Sequence, residues 1–503
     1  MNNNVGKGAV ILTLSGLVCK LFGGLFRLPL TNIIGLRGIA VFQMVMTIYS
    51  FSLVCVSGGV TNALSKLVSS ARARGDYKTI GAYFKHACIF SLTASSVFAA
   101  VFLLFSPFIA EFAGVSEGTN SYRMLALLLP FGAFVGTARG ILQGYGNMTP
   151  TAISQIIEQV VKFAFGLIFA YILKDQGAAG GVFGAILGIT VSEIFACLYL
   201  GLKLKKQDCL YFADGHRREF YKASLPLTFG GVILPLTHAL ESVFIVKLLV
   251  VSGLSETSAA AIYGVQTGVV GAILNFPLII SIALSAALLP NLSYLVEKGD
   301  RNQQKEVITK SMHTMWYLLI PLVVGLMAVA EKLYPLIYPH AIEGYLDVAI
   351  QLTYVGGVAI VCSAIQQQLV SILLANGHFR DSLIFNALGG MVKIAILAIV
   401  AITPEVSVFA ISISNVALAA IVSICVIIKL RGLIALSLFE LSLPLLASGV
   451  MFMAVKILLT FLPTVYGLCL AVVLAAAIYF VLTFPLTSKY FNVILKGLKK
   501  QRQ

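Results

Sequence analysis

Ionisable residues set inside long apolar runs are where this sequence could do chemistry. In the stretch RGILQGYGNMTPTAISQIIEQVVK, residues 139–162, Gln155, Gln159 and Lys162 follow helical spacing. Glu158 stands four residues before Lys162, the favourable order for an i,i+4 ion pair. Upstream, Gly16, Lys20, Gly23, Arg27 and Thr31 recur at spacings of four, three, four and four, so two cations share one helical stripe with small residues. Further along, Glu193, His238, Glu241 and Lys393 fall within apolar runs. Each ion at mid-bilayer costs about 2.5–3.5 kcal/mol on the insertion scale, so Lys20, Arg27, Glu158, Lys162, Glu193, Glu241 and Lys393 would together cost roughly 20 kcal/mol facing lipid. That exceeds the net stability of most folds, about 5–15 kcal/mol. These groups are therefore expected to line a wet cavity or to pair. Cations there suit an anionic substrate, because Lys and Arg at low dielectric bind a diphosphate through charge-assisted hydrogen bonds. The acids would serve as counter-charges or carry a coupling proton or sodium ion. Arg139, near the inner end of its helix, is expected to snorkel to the headgroups. His238 has no second histidine at metal-ligand spacing, and the eight cysteines form no CxxC, so neither a metal nor a cofactor is expected.

The elements that hold these residues are read from hydropathy. Of 503 residues, 59% are hydrophobic and 11% charged, too little polar surface to enclose the chain in water. Apolar runs occur at 8–34, 39–68, 86–110, 122–143, 151–173, 180–202, 223–250, 258–290, 311–330, 346–375, 381–402, 406–429, 436–461 and 465–487. The expected fold class is an all-α polytopic membrane protein of about fourteen transmembrane helices. The start MNNNVGKGAVILTLSG reads as the first helix and not a cleavable signal, since Lys20 and Arg27 continue the same run. With the N-terminus inside, 23 Lys and Arg fall in inner segments and four (Arg37, Arg123, Lys174 and Lys332) outside. The positive-inside rule then places both termini in the cytoplasm. The net charge of +15 is thereby topological, beside anionic lipid, and no nucleic-acid partner is expected.

The longest inner loop, Lys203 to Lys222, divides two faintly similar halves. Residues 57–76 align with 281–300 at a shift of 224, each closing on Gly-Asp, and 143–162 align with 374–393 at a shift of 231, each ending on lysine. Lys393 is thus the counterpart of Lys162, while Gly389 stands where Glu158 would. The organisation expected is an N-terminal six-helix repeat at 1–206, a C-terminal one at 207–432, and two extra helices with a basic tail at 433–503. No GxxxxGK[ST], GxSxG or HExxH occurs, so moving a substrate fits better than reacting with one, and no enzyme activity is expected.

With these residues in view, the chain resembles the stage V sporulation protein B and lipid II flippase group of polysaccharide exporters, within the superfamily that includes the multidrug and toxin extrusion transporters. The resemblance rests on CKLFGGLFRLPLTNIIGLRGIAVFQMV at 19–45, SGGVTNALSKLVSSARARGD at 57–76 and RGILQGYGNMTPTAISQIIEQVVK at 139–162. It implies a flippase for an undecaprenyl-diphosphate-linked sugar, acting by alternating access in the bacterial plasma membrane. Arg27 would meet the diphosphate in a cationic central cavity, with Lys20, Arg139, Lys162 and Lys393 as further substrate-binding cations and Glu158, Glu193 and Glu241 as coupling or counter-charge groups. The last two helices would line a groove for the lipid tail. One departure is that flippases of the Gram-negative type carry further arginines in their first and eighth helices, where this chain has Lys20 and none. The alternatives are a cation-coupled multidrug exporter, which wants a carboxylate such as Glu158 or Glu193, and a non-transporting scaffold for envelope or spore assembly.

Overall fold

In a membrane the hydrophobic effect does not drive helices together, so close backbone approach and polar contacts must hold the bundle. The computed structural model of this chain describes residues 3–205, 215–434 and 438–500. Cys209, Lys206 and Arg502, with the side chains of Lys7 and the C-terminal lysines, lie outside the described residues. The described chain is helical throughout and contains no strand.

In order, the helices are α1 (Asn3–Leu53), α2 (Gly59–Ala73), α3 (Tyr77–Phe112), α4 (Thr119–Gly144), α5 (Thr149–Leu173), α6 (Gly177–Lys205), α7 (Arg217–Val251) and α8 (Glu256–Gly264). They continue as α9 (Gly271–Lys298), α10 (Arg301–Ile337), α11 (Leu346–Ala375), α12 (Phe379–Ala401), α13 (Ala410–Lys429), α14 (Leu438–Phe461) and α15 (Val465–Lys500). Single π-helical turns join α1 to α2 (Val54–Gly58) and α8 to α9 (Val265–Val270).

Twelve continuous helical segments among the described residues are long and apolar enough to cross a membrane. Two of them, Leu14–Ala73 and Thr149–Lys205, have 60 and 57 residues. At 1.5 Å per residue they measure about 90 and 85 Å, enough for two crossings of a core of about 30 Å. Each is broken where glycine takes a positive φ, at Gly35 (71°) and Gly177 (83°). Phe26 and Phe42 flank the first break with ring centroids 6.1 Å apart. A straight helix would separate them by about 24 Å, so α1 folds back on itself at Gly35. The fourteen crossings read from hydropathy follow from these two reversals.

The sequence similarity between halves has a local structural counterpart. Gly75 (φ 72°) and Gly299 (φ 74°) each end a helix in a Schellman turn, closed by Gly75 N–H to Arg72 C=O and Gly299 N–H to Val296 C=O. The following Asp76 and Asp300 each cap the next helix by accepting from the third residue on, Thr79 N at 3.1 Å and Gln303 N at 3.0 Å. The same turn recurs at Gly146 (φ 75°) and Gly377 (φ 80°), just before α5 and α12.

Packing sorts the chain into two units, whose bounds differ from those of the repeats expected from the sequence. The first runs to Ala272 and includes Lys393–Ile411; the second is Ile273–Val392 with the described chain from Ser412 onward. In the first unit, Gly136, Gly140 and Gly144 form an i,i+4 stripe on α4 against the Val54–Gly58 turn and α2. A Cβ on Gly140 would lie 2.8 Å from the Thr61 carbonyl oxygen, and the Thr61 hydroxyl donates to the Gly136 carbonyl at 2.9 Å. Helices α5 and α6 meet as closely, since a Cβ on Gly188 would lie 2.3 Å from the Gly166 nitrogen. In the second unit, Val329 of α10 packs with Val455 of α14 and Leu468 of α15, beside the Lys456–Glu331 ion pair at 3.0 Å. These three helices enclose an apolar cavity of about 500 Å³ lined by Tyr317, Pro321, Leu326, Met451, Val472 and Tyr479.

Candidate functional site

The polar face expected on the fifth apolar run turns inward. Helix α5 presents Gln155, Glu158 and Lys162 toward α1, α4 and α6, and the Ser15 hydroxyl of α1 donates to Gln155 Oε1 at 2.9 Å. On α1, Phe22 and Phe26 both meet Phe163 of α5 with ring centroids 6.4 Å apart. Lys162 Nζ sits 5.6 Å from the centre of the Phe26 ring, a cation–π contact. The neighbouring stripe of α1 carries Arg27 into the field of Lys162, so like charges from two helices act on one another. The Thr31 hydroxyl, fully buried, donates to the Arg27 carbonyl at 2.8 Å and continues that stripe. Along the same stripe Gly16 and Gly23 face open space, for a methyl group at either would meet nothing within 4 Å. Lys20, between them, is exposed.

Arg139 does not snorkel. The glycine stripe of α4 is committed to its neighbours, and this rotates Arg139 toward α5. Its Nη2 lies 2.5 Å from Glu158 Oε1 and its Nε donates to the Ser154 hydroxyl at 3.0 Å, with both ionic side chains largely buried. Among the described residues the ion-pair partner of Glu158 is therefore Arg139 on the next helix, in place of the i,i+4 partner Lys162 that spacing suggests. Glu193 of α6 lies in the field of Glu158, Arg139 and Lys162. Its Oε1 accepts from the Tyr49 hydroxyl at 3.3 Å, while its buried Oε2 has no hydrogen-bond partner among the described residues. Gly132 makes that contact sterically possible, since a Cβ there would come within 2.6 Å of the Tyr49 hydroxyl.

A second charged group lies elsewhere in the same unit. Lys393, fully buried, forms an ion pair with Glu241 of α7. His238, one turn before Glu241, brings Nδ1 to 3.2 Å from Lys393 Nζ. Lys393 is thus inside the protein, as Lys162 is, but the two are held differently: one by a carboxylate, the other over an aromatic ring. Gly389, the position aligned with Glu158, packs instead on Val422 and Leu418 of α13.

The structure so brings together Arg27, Arg139, Glu158, Lys162 and Glu193, places Lys393, Glu241 and His238 in a second cluster, and leaves Lys20 on an open face. Tyr49, Ser15, Ser154 and Phe26 belong to the first cluster and were not legible as such, since only the fold makes them neighbours of the charges. Among the described residues, no group of three or more His, Cys, Asp or Glu could hold a metal ion.

Fold and buried charges together define a polytopic membrane protein with an ionic interior. The profile of the family described as polysaccharide biosynthesis protein matches residues 5–296, more than half of the chain, and the chain belongs to that family. It is similar to stage V sporulation protein B of Bacillus subtilis (strain 168), 29% identical over 308 residues, 58% of each chain. It is similar also to lipid II flippase MurJ of the same organism, 23% identical over 365 residues, 67% of this chain and 66% of that one. The matched segments thus span 58% and 66% of the lengths of these relatives. Among solved structures, a lipid II flippase MurJ in an inward closed conformation superposes with a TM-score of 0.72 at 13% identity, covering 96% of this chain and 100% of that one. An inward-facing multidrug resistance MATE family transporter of the MOP superfamily gives 0.71 at 14% identity, covering 84% and 98%. At these identities what is shared with the two structures is the fold.

Proposed function

We propose that this protein is a flippase, not an enzyme, that moves an undecaprenyl-diphosphate-linked sugar, lipid II or a related envelope precursor, across the bacterial plasma membrane by alternating access. Both termini are cytoplasmic in this reading, as the inner excess of Lys and Arg requires. The observation that carries it is the meeting of Arg27 and Lys162 beside the open Gly16–Gly23 stripe. Two cations brought near one another from separate helices make a local focus of positive charge that suits an anion. A diphosphate, with about two negative charges, can accept charge-assisted hydrogen bonds from both. Arg139 and Lys393 are pre-paired with Glu158 and Glu241 and act as a reserve of charge, releasing a cation only where the substrate displaces its carboxylate. Lys20 on the open face would attract the headgroup on entry. The apolar cavity among α10, α14 and α15 suits a polyprenyl chain. Similarity to a lipid II flippase supports the same substrate class. Depletion in the native host tests it: a diphosphate-linked sugar lipid should accumulate on the inner leaflet, and unchanged lipid-linked pools would refute it.

Export of a drug coupled to a proton or sodium ion is the second reading. One feature favours it, the buried Glu193, one carboxylate oxygen of which has no hydrogen-bond partner among the described residues.

A further inference from the structure

The second charged cluster is built so that Lys393 cannot leave Glu241 without a replacement cation at hand. Glu241 is buried, and an isolated carboxylate there would be strongly disfavoured. His238 Nδ1 stands 3.8 Å from Glu241 Oε2 and 3.2 Å from Lys393 Nζ, touching both partners of the ion pair. A lysine ammonium has three donors and no acceptor, so in this arrangement Nδ1 accepts from Lys393 and must carry no proton. A protonated ring could not take that bond, because two cations would face each other at contact. It could, however, donate to Glu241 in place of the lysine. The His238 side chain is 54% exposed whereas that of Lys393 is 0% exposed, so the ring stands at the outside of the cluster and the lysine within it. Among the described residues, this cluster is also faced by Tyr263 of α8, in the field of Glu241, and beyond it by Tyr122 of α4 and Arg27 of α1.

We propose that His238 is a proton-binding site linked to anion binding at Lys393: when an anion draws Lys393 away from Glu241, His238 takes up a proton and replaces the lysine as partner of the carboxylate. The exchange keeps Glu241 paired in both states and balances charge, since a proton enters as the lysine's charge is given to the anion. By linkage the effect is reciprocal, and protonating His238 raises the affinity for the anion. This inference rests on the reading of the protein as a carrier of a diphosphate lipid.

The test is a proton inventory of binding. Full-length protein in nanodiscs is titrated with undecaprenyl diphosphate by calorimetry at about pH 7.5, in two buffers of different ionisation enthalpy. Wild type should take up protons on binding. His238→Gln, whose amide oxygen can still accept from Lys393, should bind while its uptake falls by up to about one proton per diphosphate. Lys393→Met should lose the same increment, and because it leaves Glu241 without its lysine, its folding is checked by gel filtration. His238→Gln suffices if that variant fails to fold. Binding with equal proton uptake in wild type and His238→Gln overturns the linkage while leaving the flippase reading intact. Absence of binding to wild type overturns both.

Discussion

Replacing Glu158 by glutamine separates two pictures of the interior, because its neighbours make very different claims on its charge. An exposed i,i+4 pair with Lys162 would be worth about 0.3–0.5 kcal/mol. The pair with Arg139 is of another kind: at 2.5 Å, with side chains 16% and 14% exposed, opposite charges attract by roughly 6–7 kcal/mol at an effective dielectric of about 20. Desolvation offsets part of this, and removing one partner of such a pair typically costs about 3–5 kcal/mol. A double-mutant cycle on Glu158→Gln and Arg139→Met should therefore show a coupling of about 3 kcal/mol, and the cycle with Lys162→Met below about 1 kcal/mol. The measurement is reversible unfolding of the protein in bilayer discs by steric trapping. Lys162→Met should be near wild type in stability. A coupling to Lys162 equal to or larger than that to Arg139 would refute the assignment of structural and functional cations.

Other expectations follow from single contacts. Gly188→Val places a side chain against the α5 backbone, where a Cβ already lies 2.3 Å from Gly166 N. Its cost, above about 3 kcal/mol as for severe overpacking, should appear as loss of folded protein on gel filtration, and a stable variant would contradict the α5–α6 packing. Glu193→Gln keeps an acceptor for the Tyr49 hydroxyl and removes the charge. Diphosphate-lipid transport should survive it, whereas complete loss together with loss of a proton or sodium dependence would favour the cation-coupled exporter. Asp76 is held below the usual carboxylate range by hydrogen bonds from the Thr79 hydroxyl and amide. Because its folded value is depressed, its contribution is present above the ordinary value of 3.8 and lost as pH falls through the folded value. Asp76→Asn, still a good cap, should thus lose less stability than wild type between about pH 5 and 3 in a thermal scan.

Much of the bundle was legible because hydropathy and glycine report on it directly. The run boundaries near 34–39 and 173–180 fall on Gly35 and Gly177, where positive φ breaks the helices. The repeated Gly-Asp reads as a turn and cap at both of its occurrences. His238 and Glu241 stand out in the sequence as polar residues within one apolar run, and their pairing is seen only in the structure. The partners of the remaining charges were hidden. Arg139 faces Glu158 because the other side of α4 is spent on close packing, a rotation no local pattern encodes. Tyr49 reaches Glu193 across 144 residues of sequence, through a space left by Gly132. The π-helical turn Val265–Val270 lies inside one unbroken apolar run, since a slip of backbone hydrogen bonding leaves no mark on composition.

The central claim is that Arg27 and Lys162 receive the diphosphate of a lipid-linked substrate. Its most direct measurement is flipping of a fluorescent undecaprenyl-diphosphate sugar in vesicles reconstituted with wild type, Arg27→Ala or Lys162→Ala at equal protein density. Wild type should flip the lipid, and each variant should insert normally and lose transport. Full flipping by both variants at equal density would contradict the claim.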